Sequence, residues 1–136
     1  MRIKIDASSG VPIYLQIVNQ VRTQVALGQL KPEDPLPSVR QLAADLVVNP
    51  NTIARAYLDL EHQGIIYKRA GQGTYVSLRA VEMSKNERVR IFSELLEKAL
   101  VEGLHLELDH SEMESVFRDL MTRVNGRDEN GARGES

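Results

Sequence analysis

Apolar residues recur at helical spacing in five separate stretches of this chain and give way to β-prone runs in a sixth, with Gly, Pro and Asn as punctuation between them. Ile13, Ile17, Val21 and Val25, flanked by Tyr14 and Val18, predict a helix from about residue 12 to Leu27, which Gly28 ends. The stretch from Leu30 to Pro37 holds three prolines in eight residues and reads as extended or turning chain. Ser38 then opens a short helix. Its hydroxyl can cap the Gln41 amide while Gln41 reaches back, and Val39, Leu42, Ala43 and Leu46 form the apolar face. After Val47 and Val48 break the pattern, Asn49 as N-cap and Pro50 at the first helical position start another helix. Its inner face is Ile53, Ala56, Tyr57 and Leu60; Asn51, Thr52, Arg55 and Asp59 face solvent until Gly64. Tyr57, though aromatic, belongs to the core face.

Ile65 to Arg69 and Thr74 to Leu78 are β-prone runs around Ala70-Gly71-Gln72-Gly73, which predicts a hairpin. Ser84 with Glu87 repeats the capping-box pattern ahead of Val89, Phe92, Leu95, Leu96, Ala99 and Leu100, a long helix expected to end at Gly103. Asp109, or Ser111 with Glu114, can cap a last helix carrying Met113, Val116, Phe117, Leu120, Met121 and Val124 before Gly126. From there to Ser136 the chain is polar apart from Gly and one Ala, which predicts a disordered tail. The fold class is α+β, divided into an N-terminal domain over 1–78, a linker over 79–84, a helical region over 85–125 and a tail over 126–136.

Charge changes the picture, because the average conceals two halves of opposite sign. The chain of 136 residues has a formal net charge of −2, yet residues 1–79 carry nine Lys/Arg against six Asp/Glu and residues 80–136 carry eight against thirteen. Different surfaces for different partners follow from such an asymmetry. The absence of cysteine excludes a disulfide framework, a Cys-based zinc site and a thiol nucleophile. No apolar run approaches the ~20 residues of a membrane span, and the N-terminus lacks a signal-peptide core, so a cytoplasmic location without membrane contact is expected.

Two short helices joined by a tight turn, the second with a polar outer face, form a helix-turn-helix, and the hairpin supplies a wing. At this point six segments, in order, resemble the GntR family of bacterial transcription regulators: Pro12 to Ile17, Gly28 to Pro32, Leu36 to Ala43, Asn49 to Thr52, Leu60-Glu61 with Gly64, and Gly71-x-Gly73-Thr74-Tyr75-Val76. Pro37-Ser38-Val39-Arg40, Asn49-Pro50-Asn51-Thr52 and the short C-terminal part resemble the YtrA-type subfamily. The resemblance implies a homodimeric repressor that binds double-stranded DNA at an inverted repeat, controlling its own operon, often one with an ABC transporter.

Carried over residue by residue, it points to Ser38, Arg40, Asn49, Asn51, Thr52, Arg55, Lys68, Arg69, Gly71, Gln72, Gly73 and Thr74 as the DNA-binding set. Ser38 can cap its helix or meet a phosphate, and Arg40 can meet a phosphate or a guanine edge; Arg55 suits bidentate guanine contact and Asn51 adenine. The alternative for Asn51, Thr52 and Arg55 is a solvated polar helix face. Gly71 and Gly73 permit a tight wing turn, with Thr74 and nearby amides available to phosphate. Gln72 stands where many family members carry a cation, leaving Lys68 and Arg69 to supply the wing's charge. Phe92, Leu95, Leu96, Leu100, Met113, Phe117, Leu120 and Met121 are the expected dimer interface, since so small a unit has no other way to bury them.

Two other classes of function find less support. None of His62, His105 and His110 has a metal-ligand spacing such as H-E-x-x-H, and no phosphate-cradling loop or nucleophile elbow is present, so no enzyme, metal or cofactor is expected. His105 and His110 with Glu107, Asp109 and Glu112 are read as a solvated turn in preference to a metal site. A winged helix used only for protein docking would lack salt-sensitive DNA binding. Few aromatics and no convergent polar groups in the C-terminal part predict little concave volume there, placing any small-molecule effector at the dimer interface or near residues 105–112.

Overall fold

The computed structural model describes residues 1–79 and 83–134, with 127–134 described through the backbone alone. The chain separates into two compact units, Met1–Met83 and Ser84–Ser136. The linker expected at 79–84 spans their boundary, and its residues 80–82 lie outside the described residues.

The first unit holds α1 (Ile13–Ala26), β1 (Pro35–Leu36), α2 (Val39–Leu46), α3 (Pro50–His62), β2 (Ile66–Arg69) and β3 (Gly73–Val76). Its caps follow the sequence signals. Ser38 Oγ accepts from the Gln41 amide at 3.0 Å, and Asn49 Oδ1 accepts from the Asn51 amide at 2.9 Å, with Pro50 opening α3. The Gln41 side chain does not reach back; it donates to Asp45 at 2.8 Å, one turn along the exposed side of the helix. α1 and α2 both pack on α3, and Ile17, Val21, Ile53, Ala56, Leu60 and Val76 are completely buried among them. Burying that many large aliphatic groups, at about 1.5–3 kcal/mol each, is what holds the three helices to the sheet. Tyr57 joins this core, as its helical phase predicted. Its hydroxyl donates to the Pro37 carbonyl at 2.6 Å, so α3 fixes the chain just before the α2 cap, and burial pushes the phenol pKa above its ordinary range.

The proline-rich connection contains a strand that the sequence reading missed. β1 pairs antiparallel with β3, Pro35 opposite Tyr75 and Leu36 opposite Thr74, giving a sheet of order β1-β3-β2. Proline is admissible because β1 is an edge strand and Pro35 has no ladder partner waiting for its missing N–H. The neighbouring residues complete the pairing: the Glu33 amide donates to Val76 O at 2.8 Å and the Val76 amide to Asp34 O at 2.9 Å.

A second unanticipated feature is the N-terminal arm. Three glutamines one turn apart on α1 grip the main chain of residues 2–6. Gln16 and Gln20 each accept from and donate to one residue, Asp6 and Lys4 respectively, at 2.6–2.9 Å, and Gln24 donates to Arg2 O at 2.7 Å. The side chains thereby stand in for a neighbouring strand, satisfying backbone groups while Ile3 is buried in the core.

Between α2 and α3 the turn is made by Val47, which has φ +54° and is 90% exposed. A β-branched residue in the left-handed region costs about 1–2 kcal/mol, and no burial offsets it here. Val47→Asn should therefore stabilise the unit by about 1 kcal/mol, read as a higher midpoint in urea unfolding, since Asn tolerates this conformation. A lower midpoint would mean that the Val47 side chain has a packing role at the turn.

The second unit is α4 (Lys85–His105) and α5 (His110–Gly134). Ser84 caps α4 through the Glu87 amide at 3.1 Å. Asp109 caps α5 in a reciprocal box with Glu112, the two bonds measuring 2.8 and 3.1 Å, which settles the choice between Asp109 and Ser111. Gly103 does not end α4. It is buried inside the helix beside Met113 of α5, where a side chain would collide with the Met113 sulfur; α4 stops instead at Leu106 and Glu107, the latter with φ +62°. Nor does Gly126 end α5, whose backbone continues through Gly134 in place of the disordered tail expected from residue 126. Once the Asp109 cap has nucleated a helix, each added residue gains a backbone hydrogen bond, and no proline interrupts this segment. Residues 135 and 136 lie outside the described residues.

Candidate nucleic-acid interface

Ser38 and Arg40 are both exposed at the start of α2, and Asn49 and Asn51 are exposed at the start of α3, with Thr52 half-buried between them. The Tyr57–Pro37 hydrogen bond ties the middle of α3 to the α2 start, so these two helix N-termini belong to one rigid corner of the domain. Amides at a helix N-terminus and the positive end of its dipole favour anions, and Asn51 and Arg55, one turn apart on the outer face of α3, suit base edges. The cap roles of Ser38 and Asn49 use their side-chain oxygens, which leaves the Ser38 hydroxyl hydrogen free to donate to a phosphate. Among the described residues neither Arg40 nor Arg55 has a carboxylate within ion-pair distance.

Arg55 is not loose. Its guanidinium carbon lies 3.7 Å from the centre of the Tyr14 ring on α1, the arginine remaining exposed and the tyrosine half-buried. Nothing in the helical periodicity announced this stack, because it joins helices far apart in sequence.

The wing is more built than expected. Gly71 and Gly73, with φ +73° and +117°, turn the hairpin, and Gln72 is exposed at its tip. Register places Tyr67 directly opposite Tyr75, their ring centres 6.1 Å apart. Arg69 lies two residues beyond Tyr67 on the same face, its guanidinium 4.5 Å from the Tyr75 ring centre, and it bonds both the Tyr67 hydroxyl and the Glu33 carboxylate. Tyr67 also donates to Glu33, and this bond holds its phenol pKa above the ordinary range. Glu33 reaches the wing from the loop before β1, where it takes φ +71°. Arg69, expected with Lys68 to supply the wing's charge, has a carboxylate partner in Glu33, and the i, i+2 spacing of Tyr67 and Arg69 on a strand is the sequence signal for this cluster.

Lys68 points the other way from its neighbours and is 63% exposed, 3.9 Å from Glu61. Thr74 is largely buried on the central strand, directly opposite Lys68 on β2 and Leu36 on β1. These differences predict different salt responses. Lys68→Ala should reduce the salt slope of DNA binding by about one unit, whereas Arg69→Ala should leave the slope nearly unchanged and act through the shape of the wing. Equal slopes for wild type and Lys68→Ala in titrations at several salt concentrations would remove Lys68 from the interface.

In the second unit the apolar faces remain uncovered. Phe92, Leu95, Leu100, Phe117, Leu120 and Met121 are between 42% and 54% exposed, while Leu96 and Met113 are half-buried. Between α4 and α5 lies an open apolar groove of about 800 Å³, lined in part by Leu96, Leu100, Met113, Val116, Phe117 and Leu120. The groove holds more concave volume than the few aromatics of this region predict, but it is open and not a closed cavity, and its lining is almost entirely apolar, without a convergent polar set. At the turn, His105 stands 3.7 Å from Glu102. Among the described residues no group of three or more His, Cys, Asp or Glu could hold a metal ion, and no helix is long and apolar enough to cross a membrane.

A three-helix core, a three-stranded antiparallel sheet with a protruding hairpin, and a polar, cationic corner at the starts of α2 and α3 define a winged helix-turn-helix DNA-binding domain. Residues 13–76 match the family model described as bacterial regulatory proteins, gntR family. The chain is 34% identical over 128 residues to the HTH-type transcriptional repressor YtrA of Bacillus subtilis, covering 94% of this chain and 98% of that protein. Among solved structures it is similar to YtrA from Sulfolobus acidocaldarius, a GntR-family transcription factor, with 36% identity and a TM-score of 0.53 over 73% of this chain and 97% of that one. It is also similar to the AraR DNA-binding domain in complex with operator ORX1, with 25% identity and a TM-score of 0.50 over 57% of this chain and 96% of that one. The protein belongs to the GntR family of DNA-binding transcription regulators.

Proposed function

We propose that this protein is a cytoplasmic, homodimeric transcriptional repressor that binds an inverted-repeat operator, one winged domain per half-site. The exposed, unneutralised corner formed by Ser38, Arg40, Asn51 and Arg55 at two adjacent helix starts carries the reading. α3 enters the major groove through its N-terminal residues, Arg55 donating to guanine and Asn51 to adenine, while the α2 start and Lys68 meet phosphates. Gly71, Gln72 and Gly73 bring the wing tip to the neighbouring groove, with Arg69 shaping the wing from behind. Likeness to the Bacillus YtrA repressor supports repression, and likeness to the operator-bound AraR domain supports the use of this face.

The second copy covers the apolar faces of α4 and α5. Exposed Phe92, Leu100, Phe117 and Leu120 on a unit of only two helices form a patch that water would penalise at roughly 25 cal/mol per Å², and a two-fold pairing buries it on both copies at once. Control of its own operon, with an ABC transporter in it, is the regulation that the YtrA-type resemblance favours. A small effector, if one acts, occupies the α4–α5 groove at the dimer interface. The test is to incubate the full chain with the DNA upstream of its own gene. The expected result is a protected inverted repeat whose half-sites lie about one or two helical turns apart; protection of a single half-site, or of no site, would overturn it.

A further inference from the structure

Arg55 and Arg69 both lie over tyrosine rings, but among the described residues only Arg69 is also held by a carboxylate. A carboxylate such as Glu33 neutralises an arginine and occupies its N–H groups; an aromatic ring does neither. The ring binds the face of the guanidinium through its quadrupole, leaving the five in-plane N–H donors at the edge unused and the charge uncompensated. Arg55 sits over the Tyr14 ring at 3.7 Å, within direct stacking contact. Tyr14 is itself anchored: it lies in the first turn of α1, is half-buried and packs against the core cluster beneath. The guanidinium is therefore anchored from α1 through the Tyr14 ring, while its donors stay available to a partner outside the molecule.

We propose that Tyr14 is a specificity-determining positioning residue, which holds Arg55 in place so that its donor edge meets a guanine in the operator. The inference rests on the reading of α3 as the base-contacting helix and adds a residue from outside the helix-turn-helix. A long flexible arginine that has to be ordered on binding loses rotamer entropy at that moment. With Tyr14 in place that loss is already met in the free protein, and a sideways displacement that would let Arg55 accept a different base pair is disfavoured.

The experiment uses the full chain and a duplex recovered by selection from a random pool with the wild-type protein. Affinities are measured for that duplex and for single-base-pair variants of it, with Tyr14→Leu, Tyr14→Phe, Arg55→Ala and the double variant Tyr14→Leu/Arg55→Ala. Tyr14→Leu should weaken binding to the selected duplex about threefold to fivefold, the worth of a half-exposed stack, and flatten the preference at the one base pair that Arg55→Ala also flattens. Tyr14→Phe, which keeps the ring, should restore both. Adding Tyr14→Leu to Arg55→Ala should cost nothing further, which a merely structural loss would not reproduce, and melting temperatures identify any variant that fails to fold. Unchanged base preference in a folded Tyr14→Leu, tighter binding by it, or additive losses in the double variant would overturn the inference and leave the DNA reading intact. If the wild type itself selects no duplex, the DNA reading fails and this inference with it.

Discussion

Arg55→Ala will weaken operator binding by about 1–3 kcal/mol and relax the preference at a single base pair, leaving binding to unrelated duplex much less affected. The expectation follows from the position of Arg55 one turn beyond Asn51 on the outer face of α3, and from a guanidinium whose donors are uncommitted. Arg40, at the α2 start, shares the exposure but lacks a fixed partner among the described residues, so its replacement should lower affinity without concentrating the loss at one base pair. Should Arg55→Ala keep the full operator preference in such titrations, sequence is read by Asn51, by Thr52 or through DNA shape.

The second large effect concerns assembly. Phe117→Glu with Leu120→Glu places two carboxylates in the α4–α5 groove, where a paired copy would have to desolvate them. Such a variant should sediment as a monomer at micromolar concentration. It should also lose about a hundredfold or more in affinity for an inverted repeat, because two linked half-site contacts become one. Its binding to an isolated half-site should stay close to that of the wild type, since both substitutions lie in the second compact unit. A dimer in sedimentation would place the interface elsewhere.

Most of the architecture was legible because its signals are local. Ser38, Asn49 with Pro50, and Ser84 mark helix starts through their own side chains, and the spacing of Ile53, Ala56, Tyr57 and Leu60 fixes the buried face of α3 without knowledge of what covers it. What the sequence concealed depends on distant pairings. Pro35 and Leu36 become a strand only because β3 lies beside them. Gly103, which looks like a terminator, is a site of close approach because Met113 crosses it. The extra length of α5 was hidden for a different reason: a polar segment has no apolar stripe to announce it, yet its backbone continues the helix.

The site divides in the same way. Exposure of Arg40, Asn51 and Arg55 could be read from helical phase, whereas the burial of Thr74 required the strand register. The fate of the cations was not readable at all. Glu33 lies thirty-six residues from Arg69 and reaches it through a left-handed turn, and Tyr14 meets Arg55 across the α1–α3 packing. Sequence thus supplied the roster of basic residues but not which of them is neutralised.

The central claim, that two copies of this chain read an inverted repeat through α3, is tested most directly by the stoichiometry and salt dependence of the full chain on the repeat found upstream of its own gene. The account predicts two chains per repeat, one per half-site, with affinity falling steeply as salt rises because several phosphates are neutralised. One chain per duplex, or affinity indifferent to both salt and sequence, would contradict it.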